Sequence, residues 1–274
     1  MLEYPESYTI AQQLKESILG KSVTGGEYVN PNANIFNPEG AAERYPRAVG
    51  GAVTDVVYHA PDIYIVLDNG HGILFRQGGG KILYQESAVQ RPDKHNFRFT
   101  FSDGSSLTYS VMLWSYGVDV IDHEAWGMLT RNTDAMRFQP MGGSFQEYLA
   151  FVKGHMEDPK QAVKIYLTKS IAGIMSTFAG ETLLHAGMHP SIPIGKLDES
   201  AHERVFSAMR DVLSRACEAG GRTSECDLYG NPGGYRAMSE RKHIGQPCPF
   251  CGDPLGKVSV GGIIAFCPKC QAKR

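Results

Sequence analysis

Cys248-Pro249-Phe250-Cys251 and Cys267-Pro268-Lys269-Cys270 are two Cys-x-x-Cys pairs separated by fifteen residues near the end of the chain. Each pair can bring two sulfurs to one metal ion, and the segment between them is long enough for a β-hairpin. Apolar residues flank Gly261-Gly262 in this segment, which predicts two strands and their turn; they are Val258, Val260, Ile263, Ile264 and Phe266. The spacing therefore predicts a zinc ribbon in which Cys248, Cys251, Cys267 and Cys270 hold one zinc ion.

Disulfides or a redox dithiol are the competing interpretations of these cysteines. A single Cys-x-x-Cys would leave that choice open, but two pairs at ribbon spacing in a chain without a secretory signal favour a metal. Because four thiolates leave no open coordination position, we expect the zinc to be structural. Cys217 and Cys226 remain outside this cluster and are expected to be unreactive thiols.

Length and composition are those of a globular protein. The chain has 274 residues, of which 42% are hydrophobic and 20% are charged. No apolar run approaches the roughly eighteen residues of a membrane span, and Met1-Leu2-Glu3 lacks the basic start and apolar core of a signal peptide. We therefore expect a cytoplasmic monomer with no membrane partner.

The charge distribution bears on the choice of partner. A formal net charge of -2 counts against nucleic acid, because basicity of the whole chain is its usual signature. Within residues 241–274, however, Asp253 is the only acid. The basic residues there are Arg241, Lys242, Lys257, Lys269, Lys273 and Arg274. This positive tail gives weak support to a polyanionic partner, and a solvated surface is the alternative.

Hydrophobic periodicity predicts a helix followed by antiparallel β structure. Residues 7–19 repeat apolar side chains at every fourth position, and Gly20 ends the helix. Between residues 52 and 120 the period changes to two. Asp68-Asn69-Gly70 and Ser102-Asp103-Gly104 each turn one apolar strand into the next. Two such hairpins predict an antiparallel sandwich or barrel.

Helical signals replace the strand pattern after about residue 127. We predict helices over residues 160–170 and 178–186, and a third that starts at Ser200, whose hydroxyl forms a capping box with Glu203. The fold class is therefore α+β with several domains. They are an N-terminal helix plus β-sandwich (1–127), a helical domain (128–240) and the zinc ribbon (241–274).

Three stretches, in order along the chain, match a known pattern. Met1-Leu2-Glu3-Tyr4-Pro5-Glu6 resembles a Pro-Glu-x-Pro-Glu start that runs into a helix. Ala179-Gly180-Glu181-Thr182-Leu183-Leu184-His185 is similar to the second helix of a helix-two-turn-helix unit, and Asp227-Leu228-Tyr229-Gly230-Asn231-Pro232-Gly233-Gly234-Tyr235 resembles the run into a zinc finger. Together they resemble the formamidopyrimidine-DNA glycosylase / endonuclease VIII family of DNA-repair enzymes.

The resemblance implies a β-sandwich and a helix-two-turn-helix domain that flank a DNA cleft. The damaged nucleotide is turned out of the duplex there, because its glycosidic carbon cannot be reached inside the stack. The usual nucleophile of the family is the secondary amine of an N-terminal proline, which attacks the sugar and forms a Schiff base. The adjacent glutamate moves protons, while the zinc finger and the helix-two-turn-helix hold phosphates.

The first residues depart from this pattern. Leu2 stands at the proline position, and so large a residue after the initiator should block removal of Met1. The amine of Met1 then lies one residue further out; with a pKa of about 7.7–8.0 it is partly neutral at physiological pH. The predicted catalytic residues are Met1, as nucleophile, and Glu3, as general acid/base. A solvated acid near the terminus is the alternative for Glu3.

Three further positions differ. His59-Ala60-Pro61-Asp62 replaces a loop that carries a catalytic lysine in the family, Gly262 replaces an arginine that binds the lesion phosphate, and Ser176 replaces a phosphate-binding asparagine. Strand cleavage is therefore less well supported than DNA binding. The cations that could compensate are Arg76, Lys81 and Lys257. The predicted DNA-binding residues are Ser176, Lys164, Lys81 and Lys257.

Three functions stay open from the sequence. The first is a DNA N-glycosylase that excises oxidised bases from damaged duplex DNA, with strand cleavage through the terminal amine as a second step. The second is a DNA-binding protein that keeps the fold and the zinc but has lost the chemistry. The third is a binder of RNA or protein through the ribbon, since one fold can serve many functions.

Overall fold

The computed structural model describes residues 2–28, 41–76, 80–87, 95–111 and 117–273. The chain forms two compact units. The first consists of Met1–Arg131 and Ala219–Gly234, and the second of Asn132–Glu218 and Tyr235–Arg274. The first unit thus includes a segment that follows the helical region. The predicted domain boundaries near residues 127 and 240 stay predictions.

Eight strands lie in the described part of the first unit. They are β1 (Val23–Tyr28), β2 (Val53–His59), β3 (Asp62–Leu67), β4 (His71–Phe75), β5 (Gly80–Gln85), β6 (Phe97–Phe101), β7 (Ser106–Val111) and β8 (Val118–Asp122). They form two antiparallel sheets, in the orders β1-β6-β7-β5 and β2-β3-β4-β8. Phe99 of one sheet and Ile65 of the other belong to the same buried core. The predicted antiparallel sandwich is therefore confirmed.

Both predicted hairpins are present. Asp68-Asn69-Gly70 joins β3 to β4, and Ser102-Asp103-Gly104 joins β6 to β7. Gly70 and Gly104 have φ angles of 86° and 84°, a backbone region that side-chain-bearing residues rarely adopt. Phe99 on β6 is buried while its neighbours on the strand are partly exposed, which is the alternation that the sequence shows.

Helix α1 (Tyr4–Ile18) begins three residues before the predicted start. Its buried face carries Ile10, Leu14 and Ile18, which join the sandwich core. Pro5 lies in the first turn, where its missing N–H costs nothing. A short helix, α2 (Ala41–Arg44), continues into a 3₁₀ turn (Tyr45–Ala48).

The remaining helices belong to the second unit, apart from the start of the helix His123–Met136, which lies in the first unit. They are α3 (His123–Met136), α4 (Phe145–His155), α5 (Val163–Ser170), α6 (Ser176–His185) and α7 (Glu199–Glu218). The predicted helices at 160–170 and 178–186 correspond to α5 and α6. No helix among the described residues has the length and apolar character that crossing a bilayer requires.

The predicted capping box at Ser200 is wrong. Helix α7 already begins at Glu199, and Asp198 caps it, since Oδ1 of Asp198 accepts a hydrogen bond of 2.7 Å from the Ala201 backbone. Ser200 lies inside the first turn, where its hydroxyl accepts from Arg204 instead. An aspartate two residues earlier therefore takes the capping position.

The C-terminal hairpin consists of β9 (Gly256–Ser259) and β10 (Ile263–Phe266), as predicted. Its apolar face packs on α6, because Leu184 shares a small core with Ala265 and Cys267. Gly180 allows this close approach: a Cβ atom there would lie 3.0 Å from both Ile264 and Ser239. The hairpin is thus fixed to one helix of its own unit.

Candidate functional site

Glu3 lies at the entry to α1 and is buried. Its side chain is only 3% exposed, and its backbone N–H donates a hydrogen bond of 2.8 Å to Oε2 of Glu6. The preceding residue, Leu2, packs into the sandwich core. The alternative of a solvated terminal acid therefore does not describe Glu3, whose backbone and side chain are both fixed.

A buried arginine contacts the same carboxylates. The guanidinium of Arg222 forms a fork with Glu6: Nε donates to Oε1 and Nη2 to Oε2, both at 3.0 Å. The Arg222 backbone N–H also donates to Oε1 of Glu6, at 2.9 Å. The remaining terminal nitrogen, Nη1, lies 3.5 Å from Oε1 of Glu3. One cation is thus shared by the two acids of the N-terminal motif.

Glycines bring Arg222 into this position. Helix α7 ends at Glu218, and Gly220 and Gly221 shortly after it have φ angles of 72° and 95° that reverse the chain. A Cβ atom on Gly233 would lie 2.2 Å from the Gly221 carbonyl, so that only glycine permits this return of the loop. The backbone of Gly234 then donates to Ala219, at 2.7 Å, and closes the loop of residues 219–234.

The electrostatics of this cluster favour a permanent cation. Burial alone would lower the pKa of Arg222, but the carboxylates of Glu3 and Glu6 outweigh burial and raise it above the ordinary value. A third acid, Glu225, lies 3.8 Å from Nη2. Arg222 is therefore charged at every pH at which the protein is folded.

Met1, the predicted nucleophile, lies outside the described residues. The turn His59-Ala60-Pro61-Asp62 joins β2 to β3, and it brings no lysine to the site. Lys81 is exposed on β5, and Arg76 is exposed just after β4. These two exposed cations belong to the first unit, but neither has a described contact with Glu3 or Arg222.

Lys164 is buried in the second unit. Its ammonium donates three hydrogen bonds: to Oγ of Ser176 at 2.9 Å, and to the carbonyls of Val260 and Gly261 at 2.8 and 3.1 Å. Three donors meet three protein acceptors, which fills the capacity of an ammonium group. Lys164 therefore ties the turn of the C-terminal hairpin to α5 and α6, and this geometry argues against a direct contact with DNA.

Ser176 and Gly262 lie side by side. Ser176 is the first residue of α6, and a Cβ atom on Gly262 would lie 3.8 Å from its hydroxyl oxygen. The φ angle of Gly262 is 104°, where an arginine would be strained. The two positions at which the sequence departs from the phosphate-binding pattern are thus neighbours, next to the N-terminus of a helix. Lys257 is exposed on β9 of the same hairpin.

The four predicted metal ligands form one cluster. All four sulfurs lie within 4.8 Å of one another. Sγ of Cys248 is 3.9 Å from that of Cys270, and Sγ of Cys251 is 3.5 Å from that of Cys267. Sulfurs that bind one ion tetrahedrally at 2.3 Å are about 3.8 Å apart. The cluster therefore fits one metal ion, held at the base of the hairpin.

Comparisons with known proteins agree with this geometry, although no family model matches the chain. The formamidopyrimidine-DNA glycosylase of an Exiguobacterium species is 29% identical over 286 residues and that of Bacillus subtilis 26% over 298, each aligned over 100% of both chains. Among solved structures, Lactococcus lactis Fpg in complex with abasic-site DNA has a TM-score of 0.85 at 20% identity, covering 99% of this chain and 100% of that one. MutM (Fpg) from Thermus thermophilus has a TM-score of 0.83 at 22% identity, with 99% of each chain covered.

Over its full length the chain is similar to proteins named formamidopyrimidine-DNA glycosylase.

Arg222 is the site residue that sequence reasoning missed. The sequence analysis assigned it no role, and the partner glutamates lie 216 and more residues away. A signal was present in Gly220-Gly221-Arg222, because two glycines after a long helix mark a sharp return of the chain. Periodicity and motif spacing nevertheless cannot show which distant residue meets that loop. This chain thus combines Glu3 with a buried arginine partner.

Proposed function

We propose that the protein is a DNA N-glycosylase that excises damaged, oxidised bases from duplex DNA. The observation that carries the proposal is Glu3, a buried and fixed carboxylate at the position to which the family resemblance assigns acid/base chemistry. Full-length similarity to proteins named formamidopyrimidine-DNA glycosylase supports the same activity. Solved neighbours include Fpg bound to abasic-site DNA and to a DNA that contains N7-benzyl-Fapy-dG, which favours damaged DNA as the substrate.

Glu3 is proposed to act on the sugar of the extruded nucleotide. Loss of the base leaves positive charge on the sugar, which a nearby carboxylate stabilises. The same carboxylate can accept a proton from the attacking nucleophile. With Met1 retained, the nitrogen of Leu2 is a planar peptide amide and not a nucleophile. The attack must then come from water or from the amine of Met1, and Schiff-base strand cleavage depends on that amine.

Backbone phosphates of the DNA are proposed to bind at the start of α6. A helix N-terminus presents unpaired N–H groups and a positive partial charge, which suit a phosphate. The Ser176 hydroxyl is already an acceptor for Lys164, so its own hydrogen can point to a phosphate oxygen. Lys257 is an exposed cation on β9 of the same unit and is proposed to add to this binding, while Lys81, exposed on β5 of the first unit, is proposed as a separate DNA contact.

The metal is proposed to be zinc in a structural site. Four thiolates at these separations match the ligand set of zinc ribbons. When bound, the ion holds the base of the hairpin; it takes no part in base excision, because no coordination position is open. Four reduced cysteines also suit the cytoplasm, where we propose that the protein works.

The test of the activity is base release from a panel of duplexes, each with one oxidised base, followed by borohydride trapping on an abasic-site duplex. We expect base release for at least one lesion, and a covalent adduct only while the terminal amine is unblocked. Binding without release from any lesion would instead indicate a catalytically silent DNA-binding protein.

Salt dependence of duplex affinity tests the partner. Phosphate contacts release counterions, so that affinity should fall steeply between 50 and 200 mM salt. An affinity that does not change with salt, or a preference for RNA, would contradict the proposal that duplex DNA is the substrate.

A further inference from the structure

The cluster around Glu3 contains a buried arginine, Arg222, that has no role in the proposed reaction. Arg222 is 4% exposed and contacts both Glu3 and Glu6. Burying a guanidinium is costly unless its nitrogens are hydrogen-bonded to acids. A buried cation beside a catalytic carboxylate is therefore a candidate for a function beyond stability.

Different nitrogens of the Arg222 guanidinium contact the two glutamates. Glu6 takes Nε and Nη2 in a fork and also accepts from the Arg222 backbone, which fixes the plane and the direction of the group. Nη1 is then aimed at Glu3, 3.5 Å away. Glu6 also accepts from the Glu3 backbone N–H, so that one carboxylate orients both the cation and the acid.

We propose that Arg222 is a positioning residue for Glu3: anchored by Glu6, it holds the Glu3 carboxylate in place and in its ionised form. The proposal rests on the proposed glycosylase function, because it assigns a task to Arg222 in that same site. An ionised Glu3 serves base excision as a stabiliser of the sugar cation and as a proton acceptor. It does not serve as the acid that protonates the leaving base.

The bonds of the step balance without a further reactant. The bond from the nucleophile (water or the Met1 amine) to the anomeric carbon forms as the glycosidic C–N bond breaks. The electron pair of the broken bond leaves with the base, which takes its proton from solvent. The proton of the nucleophile passes to Glu3. Arg222 gains and loses no proton in this step.

Arg222 of the loop of residues 219–234 is a cation in direct contact with Glu3. The same guanidinium also contacts Glu6 of helix α1 and Glu225 of the loop. Neighbouring acids oppose the ionisation of a carboxyl group, and the Arg222 cation favours the ionisation of Glu3. Removal of Arg222 should therefore raise the pH at which Glu3 ionises.

The test compares Arg222→Met and Arg222→Lys with the wild-type protein in single-turnover base excision between pH 5.5 and 9. We expect Arg222→Met to lose at least about tenfold at the acid end and to recover toward high pH, because the ionised fraction of a carboxyl changes about tenfold per pH unit below its pKa. Arg222→Lys keeps the charge and should retain most of the rate, with duplex affinity unchanged in both. A loss that is equal at all pH values would overturn the proposal.

Arg44→Met is the matched control. Arg44 also forms a two-bond fork with a carboxylate in the first unit, at 2.8 Å to each oxygen of Asp119, but it has no described contact with Glu3. We expect this variant to lose stability and to keep the wild-type pH profile. A shift of its profile like that of Arg222→Met would show that any lost ion pair has the same effect, and would overturn the proposal.

A second measurement works without activity. Titration of the Glu3 carboxyl by ¹³C NMR, assigned through Glu3→Gln, should give a higher midpoint in Arg222→Met than in the wild-type protein. An unchanged midpoint would overturn the positioning role. If the wild-type protein released no base from any lesion, the glycosylase proposal would fail, while this titration would still decide whether Arg222 controls Glu3.

Discussion

At the scale of single residues, the protein buries two charged side chains, Lys164 and Arg222, although their residue types are usually found on the surface. Lys164 was expected to bind DNA, but its side chain is buried and donates to three acceptors. Arg222 was assigned no role from the sequence, but its buried guanidinium contacts two glutamates. Residue type alone cannot distinguish a solvated cation from a buried one, because the partners come from distant parts of the chain.

Replacement of Lys164 tests its structural role. Lys164→Met keeps the length of the side chain but leaves the carbonyls of Val260 and Gly261 without a donor. Val260 is partly buried and Gly261 is exposed, so that water replaces part of the lost donation and the loss costs about 0.5–1.5 kcal/mol. We expect a loss of this order in the unfolding free energy of the second unit, measured by urea denaturation, and faster hydrogen exchange in the hairpin turn.

Lys160→Met is the control for that variant, since Lys160 is exposed and near in sequence. Its unfolding free energy should stay within about 0.5 kcal/mol of the wild-type value. Equal stability of Lys164→Met and Lys160→Met would show that the buried ammonium does not hold the turn.

At the scale of elements, the sequence predicted the hairpins whose two strands are adjacent in the chain, because the turn and both strands lie in one short segment. The two hairpins of the sandwich and the C-terminal hairpin form between adjacent strands joined by glycine turns, so that the sequence contains both strands and turn. The pairings of β1 with β6 and of β4 with β8 join strands far apart in the chain, and no pattern in the sequence predicted them.

Helix caps were also predicted only in part, because a Ser-x-x-Glu sequence alone does not show where a helix begins. Sequence reasoning assigned a capping box to Ser200 and Glu203, where Asp198 caps instead. It missed helix α4, which has a true capping box: Oγ of Ser144 accepts from the Glu147 backbone at 3.3 Å, and Oε2 of Glu147 accepts from the Ser144 backbone at 2.7 Å. Both Ser-x-x-Glu sequences look alike, and the packing of the whole unit decides which one starts a helix.

The packing of α7 on α4 predicts a pH dependence of stability. His202 of α7 is buried beside Tyr148, and burial lowers its pKa below the ordinary value of 6.5. The unfolded chain therefore binds a proton near pH 6.5 while the folded one does not. Stability should be complete above that pH and fall as the pH drops toward the lower, folded-state pKa.

His202→Phe keeps a ring beside Tyr148 but cannot titrate. We expect its melting temperature to fall less than that of the wild-type protein between pH 7.5 and 5.5; each kcal/mol corresponds to roughly 2–4 °C for a protein of this size. Parallel curves for the two proteins would show that His202 does not contribute to the acid sensitivity.

The metal site is predicted at the same scale. Removal of the metal by a chelator, or Cys251→Ser, should unfold the hairpin, because metal binding supplies its folding free energy. Metal analysis should find one zinc ion per chain, and duplex affinity should fall after chelation while the β-sheet circular dichroism of the sandwich persists. A hairpin that stays folded without metal would contradict a structural zinc.

At the scale of the whole molecule, the overall charge was a poor guide. The net charge of -2 counts against DNA, yet the fold and the comparisons agree on a DNA-repair family. Each unit carries its own part of the proposed function: the first holds the fixed carboxylate, and the second holds the metal ligands and the start of α6. Local arrangement of charge, rather than its sum, is what matters for a protein of this family.

Base release by Glu3→Gln shows whether the Glu3 carboxylate takes part in the reaction. The substitution preserves size and removes the ionisable group, so that duplex affinity should stay within a few fold of the wild-type value. General acid–base catalysis contributes about 10²–10⁴-fold. We expect the single-turnover rate to fall by at least about 100-fold, and base release at the wild-type rate would show that Glu3 is not catalytic.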